Sequence, residues 1–175
     1  MRRLVFILLA SCLVIPAGAV AVQNLPGDGT LAVDNARGFV TVRARGGIIG
    51  RFDSGSVTLV DPIEGDGSGP VVSGAERSVE LGLHTVRYSG DNVRFRLIGG
   101  SYRVTVQGYG VDISAVGRGT VLLDGSGFSE QPGRFSINGG PYQPMPDELT
   151  RYTLGQGPVS QGQDKGPQGP SPRGQ

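Results

Sequence analysis

The 175-residue chain predicts an all-β fold, a small β-sandwich or a partly closed barrel, set behind an N-terminal signal helix. Three observations predict it. Between about Leu31 and Leu123 apolar residues alternate with polar ones, the period of a half-buried strand. Glycine recurs every few residues, 31 in all, as the punctuation that short strands and turns require. No stretch keeps helical spacing over three turns.

Met1-Arg2-Arg3 is a cationic start, Leu4 to Ile15 an apolar run, and Pro16 to Ala21 a small-residue stretch, the order of a secretory signal peptide. The run falls short of the roughly 20 residues that cross a bilayer as a helix, so no permanent span is expected after cleavage. Ala17, Ala19 and Ala21 place the cut before Val20 or Val22, and the leader is taken as residues 1–21. Leu9-Ala10-Ser11-Cys12 resembles a bacterial lipobox, but the apolar run continues past Cys12, which reads as one more small apolar residue of the leader. Arg2-Arg3 resembles a twin-arginine signal with Phe6 one place late, so general secretion is expected. The product would be secreted or held at the cell surface. Cys12 is the only cysteine, which leaves residues 22–154 without disulfide or thiolate chemistry.

Within that all-β domain a duplication is legible. Val40-Thr41-Val42, Gly46, Ile49, Gly55, Val57 and Leu59 recur 64 positions later as Val104-Thr105-Val106, Gly110, Ile113, Gly119, Val121 and Leu123. Two long copies suit a sandwich or barrel, whereas the alternative, a short β-solenoid, needs three or more stacked repeats.

The centre of the chain predicts a three-stranded meander. Thr85–Tyr88 and Val93–Leu97 flank a four-residue loop, and Gly99-Gly100 turns into Tyr102–Val106. That register puts Val86, Phe95 and Val104 on a core face and Arg87, Arg94, Arg96 and Arg103 together on the exposed one. Like charges opposite one another across strands are destabilising, so the patch requires acidic neighbours such as Glu76 and Glu80 or an external anion. Planar guanidinium groups suit phosphate, sulfate or carboxylate, which makes these four arginines the candidate anion-binding site.

Other chemistry is sparse. Glu64, Asp66 and Ser68 have the alternating oxygens of a calcium loop, but Ala75 stands where a bidentate Glu is needed. The loop therefore reads as an acidic surface loop, a weak calcium candidate. His84, the single histidine, falls at the rim of the core, and no Gly-x-Ser-x-Gly elbow stands between a strand and a helix to build a triad on it. Asp112 lies in a strand, but its counterpart in the first copy is Ile48, so no matched acid pair exists for hydrolysis. No cofactor is expected. With 16 Lys and Arg against 15 Asp and Glu, nonspecific nucleic-acid binding has no electrostatic support. Pro146-Asp147-Glu148-Leu149 suits a single helical turn. Residues 155–175, rich in Gly, Pro and Gln, cannot bury enough surface to order and read as a disordered tail.

The runs Val40 to Gly47 and Ala115 to Gly125 resemble those of small secreted proteins of high-GC Gram-positive bacteria. That resemblance implies no activity and no functional residue. The expectation is a noncatalytic extracytoplasmic β domain that binds an anionic cell-envelope polymer or another envelope protein. The alternative is a secreted hydrolase using carboxylates.

Overall fold

In the computed structural model of the protein, residues 27–125 and 132–155 are described. The expected leader, and the expected tail beyond Gly155, lie outside them. Eight strands follow one another: β1 (Gly29–Val60), β2 (Val71–Ser73), β3 (Arg77–Gly82), β4 (Thr85–Leu97), β5 (Ser101–Asp124), β6 (Arg134–Ile137), β7 (Gln143–Pro144) and β8 (Thr150–Leu154). All belong to one antiparallel sheet. The coils of a parallel β-helix would stack the other way.

Two strands are far longer than the five or six residues usual in globular domains: β1 has 32 and β5 has 24. They pair with each other twice, in two registers. In one, Thr41 lies opposite Thr105 and Leu31 opposite Ala115; in the other, Thr41 lies opposite Leu122 and Ile48 opposite Ala115. The middle of each strand therefore has the other strand on both sides.

Glycine makes this geometry accessible. Gly29, Gly117 and Gly46 stand in one cross-strand row, and Gly38, Gly108, Gly55 and Gly90 in another. The backbone takes φ of +149° at Gly46 and +148° at Gly117, where side-chain-bearing residues are strained. A Cβ on Gly46 would strike the Val116 carbonyl, and one on Gly117 the Arg45 carbonyl. These rows are creases, at which the long strands pass from one stretch of sheet to the other.

The first stretch carries the row Arg151, Leu122, Thr41, Thr105, Thr58, Arg87, Val79 from edge to edge. The second carries Ser136, Ala32, Ser114, Ile49, Arg96, Val71. Alternation then puts the intervening residues of both stretches into one core, which includes Val40, Val42, Phe52, Phe95, Val104, Val106, Leu123 and Phe135. Full burial of side chains this size contributes about 1.5–3 kcal/mol each.

Two local expectations fail. The meander does not form: β4 is one continuous 13-residue strand, and residues 89–92 are a bend within it that stays paired to β1, Gly90 lying opposite Gly55. Nor does β4 pair with β5, because β1 runs between them. Phe95 and Val104 are buried all the same, at 2% and 0% exposure, since parity along each strand decides facing whichever strand is the neighbour. Residues 146–149 form no helical turn: the chain bends at Asp147 and Glu148, with the Pro146 carbonyl held by the Gly125 amide at 2.8 Å.

Candidate functional site

The outward face of the first stretch holds a cluster of arginines. Arg43 lies directly opposite Arg103, and Arg45 opposite Arg118. All four are exposed, because their strand neighbours Val42, Ala44, Tyr102 and Val104 take the inward positions. Arg151 joins them from β8, and together with Val60, Pro62 and Thr120 they line a groove of about 580 Å³. Asp28 pairs with Arg118 at 3.2 Å. No acid among the described residues pairs with Arg43, Arg45, Arg103 or Arg151. Two like-charge cross-strand pairs thus stand side by side; Asp28 offsets Arg118, while Arg43 opposite Arg103 costs stability unless an anion sits across them.

The same face carries a second groove, of about 650 Å³, lined by Phe39, Ser54, Gln107, Tyr109 and Asp124. Its residues stand 64 positions from those of the first: Gln107 for Arg43, Tyr109 for Arg45, Phe39 for Arg103, Ser54 for Arg118, and Asp124 for Val60. The cross-strand pairs correspond as well, Phe39 opposite Gln107 and Ser54 opposite Tyr109. Between the two grooves lies the Thr41–Thr105 pair, itself 64 positions apart, with hydroxyl oxygens at 3.0 Å. Arg43, Arg45, Arg103 and Arg118 in one groove thus correspond to no arginine in the other, which has a single arginine beside it among the described residues, Arg37, over the Tyr109 ring at 5.9 Å.

The four arginines expected to form one patch are divided. Arg103 is part of the basic groove; Arg87 lies on the same face, two strands away across Val60 and Thr58, and donates to the Thr58 hydroxyl at 3.2 Å. Arg94 and Arg96 lie beyond the bend of β4, on the outward face of the second stretch. They are separated because the bend at 89–92 carries the second half of β4 across a crease, where the sequence suggested a hairpin folding it back. Glu76 and Glu80 form no ion pair with any of the four among the described residues.

The acidic loop is tied to its neighbours. Both carboxylate oxygens of Asp66 accept from the Ser101 amide, at 3.3 and 3.0 Å, and the Ser68 hydroxyl donates to the Ile98 carbonyl at 3.1 Å. Glu64 faces His84 Nδ1 at 3.2 Å. Glu64, Asp66 and Ser68 therefore point at three different partners, and no group of three His, Asp or Glu side chains among the described residues is placed to hold a metal ion. His84 forms the β3–β4 turn with φ of +57°.

Asp112 accepts from Arg51 at 2.7 Å and from the Asn35 amide at 2.7 Å. The hydrogen bond and charge of Asp112 raise the Arg51 pKa further above its ordinary value. The Tyr102 hydroxyl and one Asp61 oxygen are buried without a hydrogen-bond partner of good geometry among the described residues. Burial first, and then the Asp61 charge, push the Tyr102 pKa up; the Gly69 amide opposes this more weakly.

The sequence reading missed Arg43, Arg45, Arg118 and Arg151. Alternation with buried Val42 and Ala44 is consistent with Arg43 and Arg45 facing outward, but only the pairing of β1 with β5 brings Arg103 and Arg118 beside them. No family model matches the chain, and no curated protein or solved structure matches it either.

Proposed function

We propose that this is a noncatalytic extracytoplasmic binding domain whose basic groove takes an anionic polymer of the cell envelope. The observation that carries this reading is the contrast between the two grooves. Positions that share one strand geometry hold Arg43, Arg45, Arg103 and Arg118 on one side and Gln107, Tyr109, Phe39 and Ser54 on the other. A general bias toward arginine would load both grooves alike, whereas five arginines line the first and, among the described residues, Arg37 alone stands beside the second. Concentrated in one, and without internal acids for most of them, the guanidinium groups are disposed to accept phosphate, sulfate or carboxylate from outside. The N-terminal leader read from Met1 to Ala21 supports placement beyond the cytoplasmic membrane.

The same reading takes the two halves as copies displaced by 64 positions and the two stretches as leaves of a sandwich around the shared core. The meeting of Thr41 with Thr105 supports it, as does the pairing of β2 with Arg94–Arg96 and of β6 with Leu31–Asp34, where Leu31 corresponds to Phe95.

Titration of the processed protein with poly(glycerol phosphate) and with neutral dextran tests the function. Binding to the polyanion is expected to weaken with salt and to fall by about a hundredfold in Arg43→Gln/Arg45→Gln/Arg103→Gln, at roughly 1 kcal/mol for each exposed ion pair removed. Equal, salt-insensitive binding by both proteins would remove the proposal. Cleavage products from incubated cell-wall polymer would favour a hydrolase in its place.

A further inference from the structure

The outward face of the second stretch holds a hollow of about 640 Å³, within the range of small-molecule sites. Its floor is low because Ala32 and Ser114 lie side by side in one cross-strand row; Ile49, Arg96 and Val71 continue that row as one wall. Tyr142 stands on the other side, its ring 4.9 Å from the Arg134 guanidinium. Ile49, Val71 and Tyr142 stay 44%, 50% and 53% exposed, leaving apolar surface unpartnered around the hollow.

The charges around it are sorted. Arg51 is held by Asp112 at 2.7 Å, and Arg134 by Asp34 at 2.7 Å. Arg94 and Arg96, two residues apart on the same face of β4, have no acid partner among the described residues. One wall thus carries two uncompensated cations beside apolar floor, while Asp34 and Asp112 line the far side.

We propose that this hollow binds an amphipathic carboxylate. The carboxylate group sits on Arg94 and Arg96, and a hydrocarbon or aryl body covers Ala32, Ile49 and Val71. A polyanion is a poor occupant because Arg51 and Arg134 are already held by Asp112 and Asp34, and the apolar lining offers its further charges no partner. A neutral hydrocarbon leaves the two guanidinium groups without a counter-charge. The proposal is independent of the basic groove, from which the hollow shares no lining residue.

Decanoate below its micelle concentration is the probe, with decanol as its neutral control, read by calorimetry and by amide chemical shifts. Decanoate is expected to bind and to shift amides of β1 near Ile49 and of β4 near Arg94. Decanol, and separately Arg94→Gln/Arg96→Gln, should each weaken binding at least about tenfold, the loss of a charge-assisted hydrogen bond. Ser114→Phe, an exposed substitution that fills the floor, should block binding while Arg43→Gln/Arg45→Gln leaves it unchanged. No binding of decanoate, equal binding of decanol, or affinity untouched by Arg94→Gln/Arg96→Gln would overturn the proposal. Because both arginines are exposed, the double variant is expected to unfold at the same temperature as the parent, so weaker binding by it reports on the guanidinium groups themselves.

Discussion

The hydroxyls of Thr41 and Thr105 meet 3.0 Å apart at the centre of the sheet, one donating to the other. Thr41 is only 8% exposed, although its side chain faces outward, away from the core. Covered by its neighbours on this face, each hydroxyl finds in the other a hydrogen-bond partner.

Replacing either residue by valine strands the other hydroxyl. Thr41→Val and Thr105→Val are each expected to cost about 1 kcal/mol in urea unfolding, and the double variant no more than either single one. Strictly additive losses in the double-mutant cycle would mean that the hydroxyls do not interact.

The creases make a sharper prediction. Gly117→Ala forces a Cβ onto the Arg45 carbonyl and an L side chain into φ of +148°, and is expected to cost about 3 kcal/mol or more. Gly82→Ala meets nothing within 4 Å at the end of β3 and should stay within roughly 0.5 kcal/mol of the parent. Thermal unfolding of both variants checks this, and comparable losses would show that the creases are not set by glycine.

Tyr102 links stability to alkaline pH. Its pKa is raised by burial and by Asp61, so above about pH 10 the unfolded chain loses the phenolic proton before the folded one does. Stability from this group is therefore intact below pH 10 and declines as pH rises from there through the folded-state value. Tyr102→Phe removes a buried hydroxyl without a well-placed partner. It is expected to be at least as stable as the parent at pH 7 and to lose part of the alkaline decline, both measurable by urea midpoints between pH 7 and 11. A destabilised phenylalanine variant would show that the hydroxyl is satisfied after all.

How much of this was legible follows from which signals are local. Parity along a strand is local, so Val42, Phe95, Val104 and Val106 were readable as inward, and Arg43, Arg94 and Arg96 as outward, from alternation alone. Strand ends were not, because glycine serves a turn and a crease equally well. Gly90 lies inside β4, where the sequence suggested a loop, and Gly46, Gly55, Gly108 and Gly117 likewise lie inside β1 and β5. From that one ambiguity came the mistaken meander and the single arginine patch. The basic groove was hidden for a related reason: Arg43 and Arg118 are far apart in the chain, and only the second β1–β5 register brings them to neighbouring strands.

At the creases backbone presses on backbone, so the curvature of the scaffold is insulated from the identity of the residues displayed on it. Exterior positions are thereby free to be re-surfaced without reshaping the frame, and two chemically unlike hollows can evolve on one architecture, each changing independently of the other.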